Sequence, residues 1–252
     1  MIHFVGAGPG APDLITVRGA TLLARADVII YAGSLVNPEL LDLAPVTVEI
    51  HDSARLTLEQ VLDVMVEADA AGRELVRLHT GDPSLYGAIR EQMEALDERG
   101  IAYDLCPGVS SMAAAAAALG AEYTLPGVSQ SVIVTRLAGR TPVPEAERLS
   151  ALAAHGATMV IFLSAGMLQA VQDELLCGGY AAETPAALVY KASWDDERVV
   201  RTTVGQLADA GAAAGIDRTA LVCVGDFLAG VRERSQLYDP RFSTGFREAV
   251  RE

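Results

Sequence analysis

Asp82 stands in the stretch Leu78-His79-Thr80-Gly81-Asp82-Pro83-Ser84-Leu85-Tyr86-Gly87, a carboxylate set among residue types that shape tight backbone. Gly81 permits positive φ or close approach of a ligand, Pro83 fixes φ, and Ser84 is placed to cap a helix beginning near Leu85. An apolar run at 75–78 precedes the stretch and a helical pattern follows it. In an open α/β sheet such a strand-loop-helix puts Asp82 at the edge where ligands bind. Taken alone, Gly-Asp-Pro-Ser fits a tight turn with a capping serine just as well.

Gly6-Ala7-Gly8-Pro9-Gly10-Ala11 also follows a short apolar strand and satisfies the spacing G-x-G-x-x-A of a dinucleotide-binding turn. That turn holds a pyrophosphate on backbone N–H groups. Here Pro9 removes one of them, and Pro12 with Asp13 adds a further gap and a negative charge. The ribose-binding acid due after the second strand is missing, because Tyr31 is followed by Ala32-Gly33-Ser34. A nicotinamide-dependent oxidoreductase built on this loop stays as the alternative from a different functional class. A third loop, Pro107-Gly108-Val109-Ser110-Ser111, opens an alanine-rich helix at 112–119, where propensity and close packing both favour small side chains.

Neither a nucleophilic triad nor a metal cluster is visible. His3, His51, His79 and His155 have no short spacing to one another or to Cys106, Cys177 and Cys223. Each histidine is expected to be structural with its hydrogen bonds satisfied, and each cysteine a buried packing residue. Three scattered thiols fit a reducing compartment. The chain carries 19 Lys and Arg against 33 Asp and Glu, and its net charge of −14 argues against nucleic acid or an anionic membrane as the main partner. No leader pattern opens the sequence, and no apolar stretch approaches the roughly 20 residues of a membrane span. A cytoplasmic protein is expected.

The elements that must position these loops alternate in the first half. Strands are expected at 2–5, 28–31, 46–50, 75–78 and 103–105, and helices at 16–26, 56–71 and 85–99, the second opened by Thr57 with Gln60 at capping-box spacing. That order indicates parallel βαβ units. The second half reads as strands at 131–135, 158–163, 186–190, 199–203 and 220–224 with helices at 145–154, 166–176 and 204–214, and a polar tail from Phe227. The short charged connection between Tyr190 and Val199 implies an antiparallel hairpin and hence a mixed sheet. The expectation is an α/β protein of two domains, 1–120 with a mainly parallel sheet and 121–252 with a mixed one, and an active-site cleft between them.

Taken together, residues 5–10 with 13–16, residues 81–87, residues 107–111 and the run Thr184-Pro185-Ala186-Ala187-Leu188-Val189 resemble, in order, the tetrapyrrole (corrin and porphyrin) methyltransferase family. Tyr31-Ala32-Gly33-Ser34-Leu35-Val36, Glu122-Tyr123-Thr124-Leu125-Pro126 and Tyr190-Lys191-Ala192-Ser193-Trp194 look like one corrin-methylating branch of it, in cobalamin synthesis. The uroporphyrinogen-methylating branch typically has an aspartate just after the tyrosine of its second strand, where this chain has Ala32. The resemblance implies a homodimer that binds S-adenosylmethionine in the interdomain cleft and methylates a small-molecule tetrapyrrole, with no dinucleotide and no metal needed for transfer; the acidic balance of the chain disfavours nucleic acid as an alternative substrate. Carried over residue by residue, the cofactor contacts are Pro9, Gly81, Asp82, Leu85, Ser110, Ser111, Leu163, Ala187, Ala220 and Leu221. Asp82 would accept from the donor's ammonium or ribose, whereas Tyr86 reads as a core residue. Positioning would suffice for methyl transfer, so no catalytic residue is assigned. Of the basic residues flanking the loops, Arg18, Arg136, Lys191, Arg198 and Arg201, the two carried forward as contacts for substrate carboxylates are Arg136 and Lys191.

Overall fold

Runs such as Val28-Ile29-Ile30 are apolar on both strand faces and need cover on both sides of a sheet. The computed structural model, which describes residues 1–230 and 235–249, provides it. Strands β1 (Ile2–Gly6), β2 (Val28–Tyr31), β3 (Glu49–Asp52), β4 (Leu75–His79) and β5 (Tyr103–Cys106) form an all-parallel sheet in the order β3-β2-β4-β1-β5. Helix α1 (Val17–Leu23) packs Leu22 and Leu23 with Val5, Ile29, Val76 and Leu78. Helices α2 (Leu58–Ala70) and α3 (Arg90–Glu98) place Val61, Met65 and Leu96 with Ile2, Phe4, Ile30 and Leu75. Each such fully buried side chain contributes about 1.5–3 kcal/mol.

Local chemistry sets the helix starts. Thr16 Oγ1 accepts the Gly19 N–H at 3.0 Å to cap α1. The capping box of α2 is present: Gln60 N donates to Thr57 Oγ1 at 3.4 Å and Thr57 N to Gln60 Oε1 at 2.9 Å. The third helix corrects the sequence reading. It begins at Arg90 rather than near Leu85, because Tyr86 and Ala88 take φ of 58° and 49°, which no right-handed helix accommodates. Ser84 therefore caps no helix. The third strand also starts later than expected, at Glu49, because a turn in which Val48 N donates to Pro45 O at 3.0 Å precedes it.

The chain forms two compact units, Met1–Ala115 with Lys191–Glu197, and Ala116–Tyr190 with Arg198–Glu252. Helix α4 (Ser111–Leu119) spans the first division. The second unit holds β6 (Val132–Arg136), β7 (Thr158–Phe162), β8 (Pro185–Tyr190), β9 (Arg198–Thr203) and β10 (Ala220–Val224) in the order β6-β7-β10-β8-β9. Its sheet is mixed: β6 and β7 are parallel and the other neighbours antiparallel, including the β8–β9 hairpin. Helices α5 (Leu149–Ala153), α6 (Leu168–Cys177) and α7 (Leu207–Ala214) cover one face around Met159, Ile161, Leu188 and Val222.

The helix expected over 145–154 is broken at Arg148, whose ψ of 142° separates a 3-10 turn from α5. The tail is less polar than its sequence suggests. Phe227 is buried beside Tyr123, ring to ring at 5.2 Å, and Leu237, Tyr238, Phe242 and Phe246 lie exposed. The tail positions 231–234 and 250–252 lie outside the described residues. Cys106 and Cys223 are buried as expected, but Cys177 is exposed because it ends α6 on the face away from the sheet.

Candidate active site: three loops at one sheet edge

The order β4-β1-β5 brings the carboxyl ends of three adjacent parallel strands together, and with them the loops at 6–11, 81–87 and 107–111. This is the edge at which open α/β sheets bind ligands. The loops touch through glycine. A Cβ on Gly6 would fall 2.6 Å from the Gly81 carbonyl oxygen, and one on Gly108 would fall 2.7 Å from Gly6 Cα. Gly8 and Gly81, at φ of 81° and 61°, also pair backbone to backbone, with Gly81 N donating to Gly8 O at 2.8 Å and Gly8 N to Gly81 O at 3.2 Å. Residues without Cβ at positions 6 and 108 let the three loops approach so closely, and glycine at 81 accepts the left-handed turn between them.

Asp82 joins two of the loops. Its Oδ2 accepts the Gly108 N–H at 2.8 Å, and its Oδ1 accepts the Ser84 N–H at 2.9 Å together with the Ser84 hydroxyl. Burial works to raise its pKa, but the bonds from the Ser84 hydroxyl and from the Gly108 and Ser84 amides prevail and hold the carboxyl below its ordinary value. Asp82 is therefore ionised at neutral pH, and both oxygens already have protein donors.

The first loop is closed to a pyrophosphate by its own hydrogen bonds. Ala7 N donates to His79 O at 2.7 Å, Gly8 N to Gly81 O, and Ala11 N to Ser193 Oγ at 3.1 Å, while Pro9 has no N–H. Trp194 lies against the loop, its Nε1 donating to Pro9 O at 3.0 Å, and a Cβ on Gly10 would fall 2.8 Å from its Cγ. Asn37 Nδ2 donates to Gly10 O at 3.0 Å. Pro9 is consequently buried at the loop's apex.

The other first-unit candidates gather around this edge. Ser110 and Ser111 sit at the start of α4, and a Cβ on Gly81 would lie 3.5 Å from Ser111 N, in ordinary contact. The Ser110 hydroxyl accepts from Met112 N at 3.4 Å. Leu85 is half-buried in the turn after Asp82, with its N–H on Asp82 O at 3.2 Å. Tyr86 is not a core residue: its left-handed backbone turns it outward and leaves it 43% exposed. Lys191 belongs to this unit too and pairs with Asp196 at 2.7 Å.

The remaining candidates lie on the second unit. Leu163, just past β7, has φ of 53° and is 63% exposed, an unusual position for a large apolar side chain. Ala220 and Leu221 begin β10, where Ala220 pairs with Tyr190; Ala187 pairs with Cys223, about 10 Å further along the strand. Ala187 is fully buried within the sheet, with Arg201 opposite it on the other neighbouring strand. Arg136 donates to the carbonyls of Leu137, Thr141 and Pro142, bracing the 137–142 loop.

Sequence reasoning missed the polar residues beneath the site. Arg77 and His79 follow Leu75 at period two and so share the α2–α3 face, where a stack of His79 on Phe4 at 6.1 Å confirms the direction. His79 does not meet the expectation of a satisfied histidine. It is 5% exposed and its Nε2 has no hydrogen-bond partner, while burial, reinforced by the Arg77 charge, pushes its pKa down to about 3. His3 and His51 are satisfied, the former between Asp104 at 2.6 Å and Glu74 at 2.7 Å, the latter by Glu49 at 2.8 Å, and His155 is exposed. An arginine and a histidine alternating inside an apolar strand were the available signal.

A parallel sheet with three glycine-built loops at its carboxyl edge, on a chain that adds a mixed α/β unit, defines a small-molecule-binding α/β protein. The model of the tetrapyrrole (corrin/porphyrin) methylases matches residues 1–208, and the chain belongs to that family. It is 52% identical over 249 residues to the cobalt-precorrin-4 C(11)-methyltransferase of Methanocaldococcus jannaschii, covering 98% of this chain and 96% of that one. It is 49% identical over 248 residues to the precorrin-4 C(11)-methyltransferase of a Sinorhizobium species, covering 98% of each. Among solved structures, a cobalt precorrin-4 methyltransferase superposes with a TM-score of 0.88 at 46% identity, over 90% of this chain and 95% of that one. The uroporphyrin-III C-methyltransferase of Thermus thermophilus complexed with S-adenosyl homocysteine gives 0.76 at 27%, over 90% and 98%.

Proposed function

We propose that this chain is an S-adenosylmethionine-dependent methyltransferase acting on C-11 of precorrin-4, or of its cobalt complex, in cobalamin biosynthesis. The observation that carries this reading is identity of about half the residues, over nearly the whole chain, to relatives of that activity. The dinucleotide alternative is disfavoured by the first loop, whose N–H groups at Ala7, Gly8 and Ala11 are already bonded within the protein.

The first unit suits a zwitterionic sulfonium donor. Gly81 presents bare backbone opposite Ser111, and the N-terminus of α4 with the Ser110 and Ser111 hydroxyls offers donors to a carboxylate. Pro9, Gly81, Asp82, Leu85, Ser110 and Ser111 are the proposed contacts here. Asp82 sets the loops against each other and supplies negative charge toward an ammonium. Leu163, Ala187, Ala220 and Leu221 stay as proposed donor contacts on the second unit, and Arg136 and Lys191 as proposed contacts for substrate carboxylates.

When bound, the donor supplies an electrophilic methyl on a positively charged sulfur. The protein then needs no nucleophile of its own. Alignment of two bound reactants is worth up to about 7–11 kcal/mol of barrier, enough for positioning to lead. We further propose a cytoplasmic homodimer; among the described residues no helix is long and apolar enough to cross a membrane.

Incubation with methyl-labelled S-adenosylmethionine and either metal-free or cobalt-containing precorrin-4 tests the reading. The expected product gains one methyl, placed at C-11 by carbon NMR. Transfer to another ring carbon would assign a different tetrapyrrole specificity, and no transfer to either substrate would reject the proposal.

A further inference from the structure

Residues 85–89, between the Asp82 turn and α3, follow a backbone that non-glycine residues avoid. Tyr86 and Ala88 both have positive φ, which strains any residue with a side chain. The surrounding structure must hold such a segment in place. Gln92, 5% exposed in the first turn of α3, does so by donating from Nε2 to the Ala88 carbonyl at 2.9 Å.

The other end of the Gln92 amide faces Arg77. Arg77 Nε donates to Gln92 Oε1 at 3.2 Å and Nη1 to Ile30 O at 3.4 Å. Among the described residues no carboxylate pairs with this 7% exposed guanidinium, which rests on neutral acceptors. An arginine only donates, so the amide oxygen must point at Arg77 and the amide nitrogen must point at Ala88. A buried charge thus fixes the orientation of a neutral side chain, which in turn fixes a strained loop.

We infer that Arg77 and Gln92 are positioning residues for the methyl-donor site, acting through the Ala88 carbonyl on the 81–88 backbone that presents Asp82 and Leu85. The inference rests on the reading of that stretch as a donor contact. It adds what holds the stretch in shape: a buried relay from β4 through α3, on the far side of the loop from the ligand edge. Packing alone would require only that Gln92 fill its volume, whereas the relay requires an acceptor at one end and a donor at the other.

Calorimetric titration with S-adenosylhomocysteine separates the two. Gln92→Glu keeps an acceptor for Arg77 but has no proton for Ala88 O, and Gln92→Met keeps volume but neither function. Gln92→Glu is expected to unfold cooperatively near the wild-type midpoint while its Kd rises about tenfold, the equivalent of one well-made buried hydrogen bond. An unchanged Kd in Gln92→Glu, or in Gln92→Met should the first not fold, overturns the inference. Should neither fold, hydrogen exchange of residues 85–93 in the unaltered protein decides, because coupling is reciprocal: slowing by S-adenosylhomocysteine supports the relay and no change overturns it. Failure of the unaltered protein to bind S-adenosylhomocysteine would instead reject the donor reading, and this inference with it.

Discussion

Asp82 Oδ2 accepts the Gly108 N–H at 2.8 Å, so the carboxylate after β4 is the brace of the loop after β5. Its partner oxygen is held by Ser84. Removing the brace should loosen both loops. Asp82→Ala is expected to cost about 1–2 kcal/mol of stability, a charge-assisted bond discounted for partial exposure, and to weaken S-adenosylhomocysteine by at least about tenfold. Denaturant titration and calorimetry measure the two effects. Affinity unchanged from wild type would remove Asp82 from the donor site.

Gly108→Ala should be worse than its one added carbon suggests. The new Cβ meets the Gly81 carbonyl and Gly6 Cα, both backbone and unable to rotate away. A loss of about 1–3 kcal/mol is expected, as for overpacked cores. Thermal unfolding beside Gly100→Ala provides the comparison, since Gly100 has nothing near its Cβ position and carries only the strain of φ at 66°.

Trp194 is the sole tryptophan of the chain and its indole N–H is bonded to Pro9 O. Its emission therefore reports on the 6–11 loop. S-adenosylhomocysteine is expected to change that emission saturably, whereas NADH at the same concentration is expected to leave it unchanged after inner-filter correction. Saturable quenching by NADH would revive the dinucleotide reading.

His79 should make stability depend on pH. Its folded pKa of about 3 lies below the ordinary 6.5, so the unfolded chain binds the extra proton as pH falls below 6.5. Stability contributed by the neutral ring is present above pH 6.5 and lost downward toward pH 3, with a slope of up to about 1.4 kcal/mol per pH unit. The Arg77 charge on the same face adds to the effect. Between pH 6.5 and 5, Asp82 stays ionised because its own pKa is lowered, so it does not contribute there. His79→Gln is expected to flatten the curve in this window, and an unchanged slope would show that the ring is hydrated and not buried as described.

Much of this was legible in residue order, and the failures have local causes. The parallel and mixed sheets followed from strand and helix spacing and from the short 190–199 connection, and the α2 capping box from two residues. The three loops were visible as glycine and proline clusters. Helix α3 was overextended because 85–89 has helical periodicity, and a hydrophobic pattern carries no mark of left-handed backbone at Tyr86 and Ala88. Tyr86 was assigned to the core for the same reason. The first loop matched a dinucleotide motif because the motif records glycine spacing; what those glycines serve here is contact with Gly81, Gly108 and Trp194, residues remote in the chain. Arg77 and Gln92 escaped notice because their meaning lies in one another's orientation, and His79 was expected to be satisfied because sequence does not show that its Nε2 is buried without a partner.

The meeting of Gly6, Gly81 and Gly108 also bears on how this fold can be re-engineered. A side chain at Gly6 or Gly108 collides with backbone belonging to another of the three, and Gly81 holds a φ of 61° that side chains disfavour, so these positions cannot be varied singly to enlarge or reshape the edge. A library aimed at altered donor or acceptor scope is better built on Leu85, Ser110 and Ser111, whose side chains can change without moving the strands. The glycine contact then acts as a fixed datum, and variants that keep it can be compared as changes of lining on one unchanged frame.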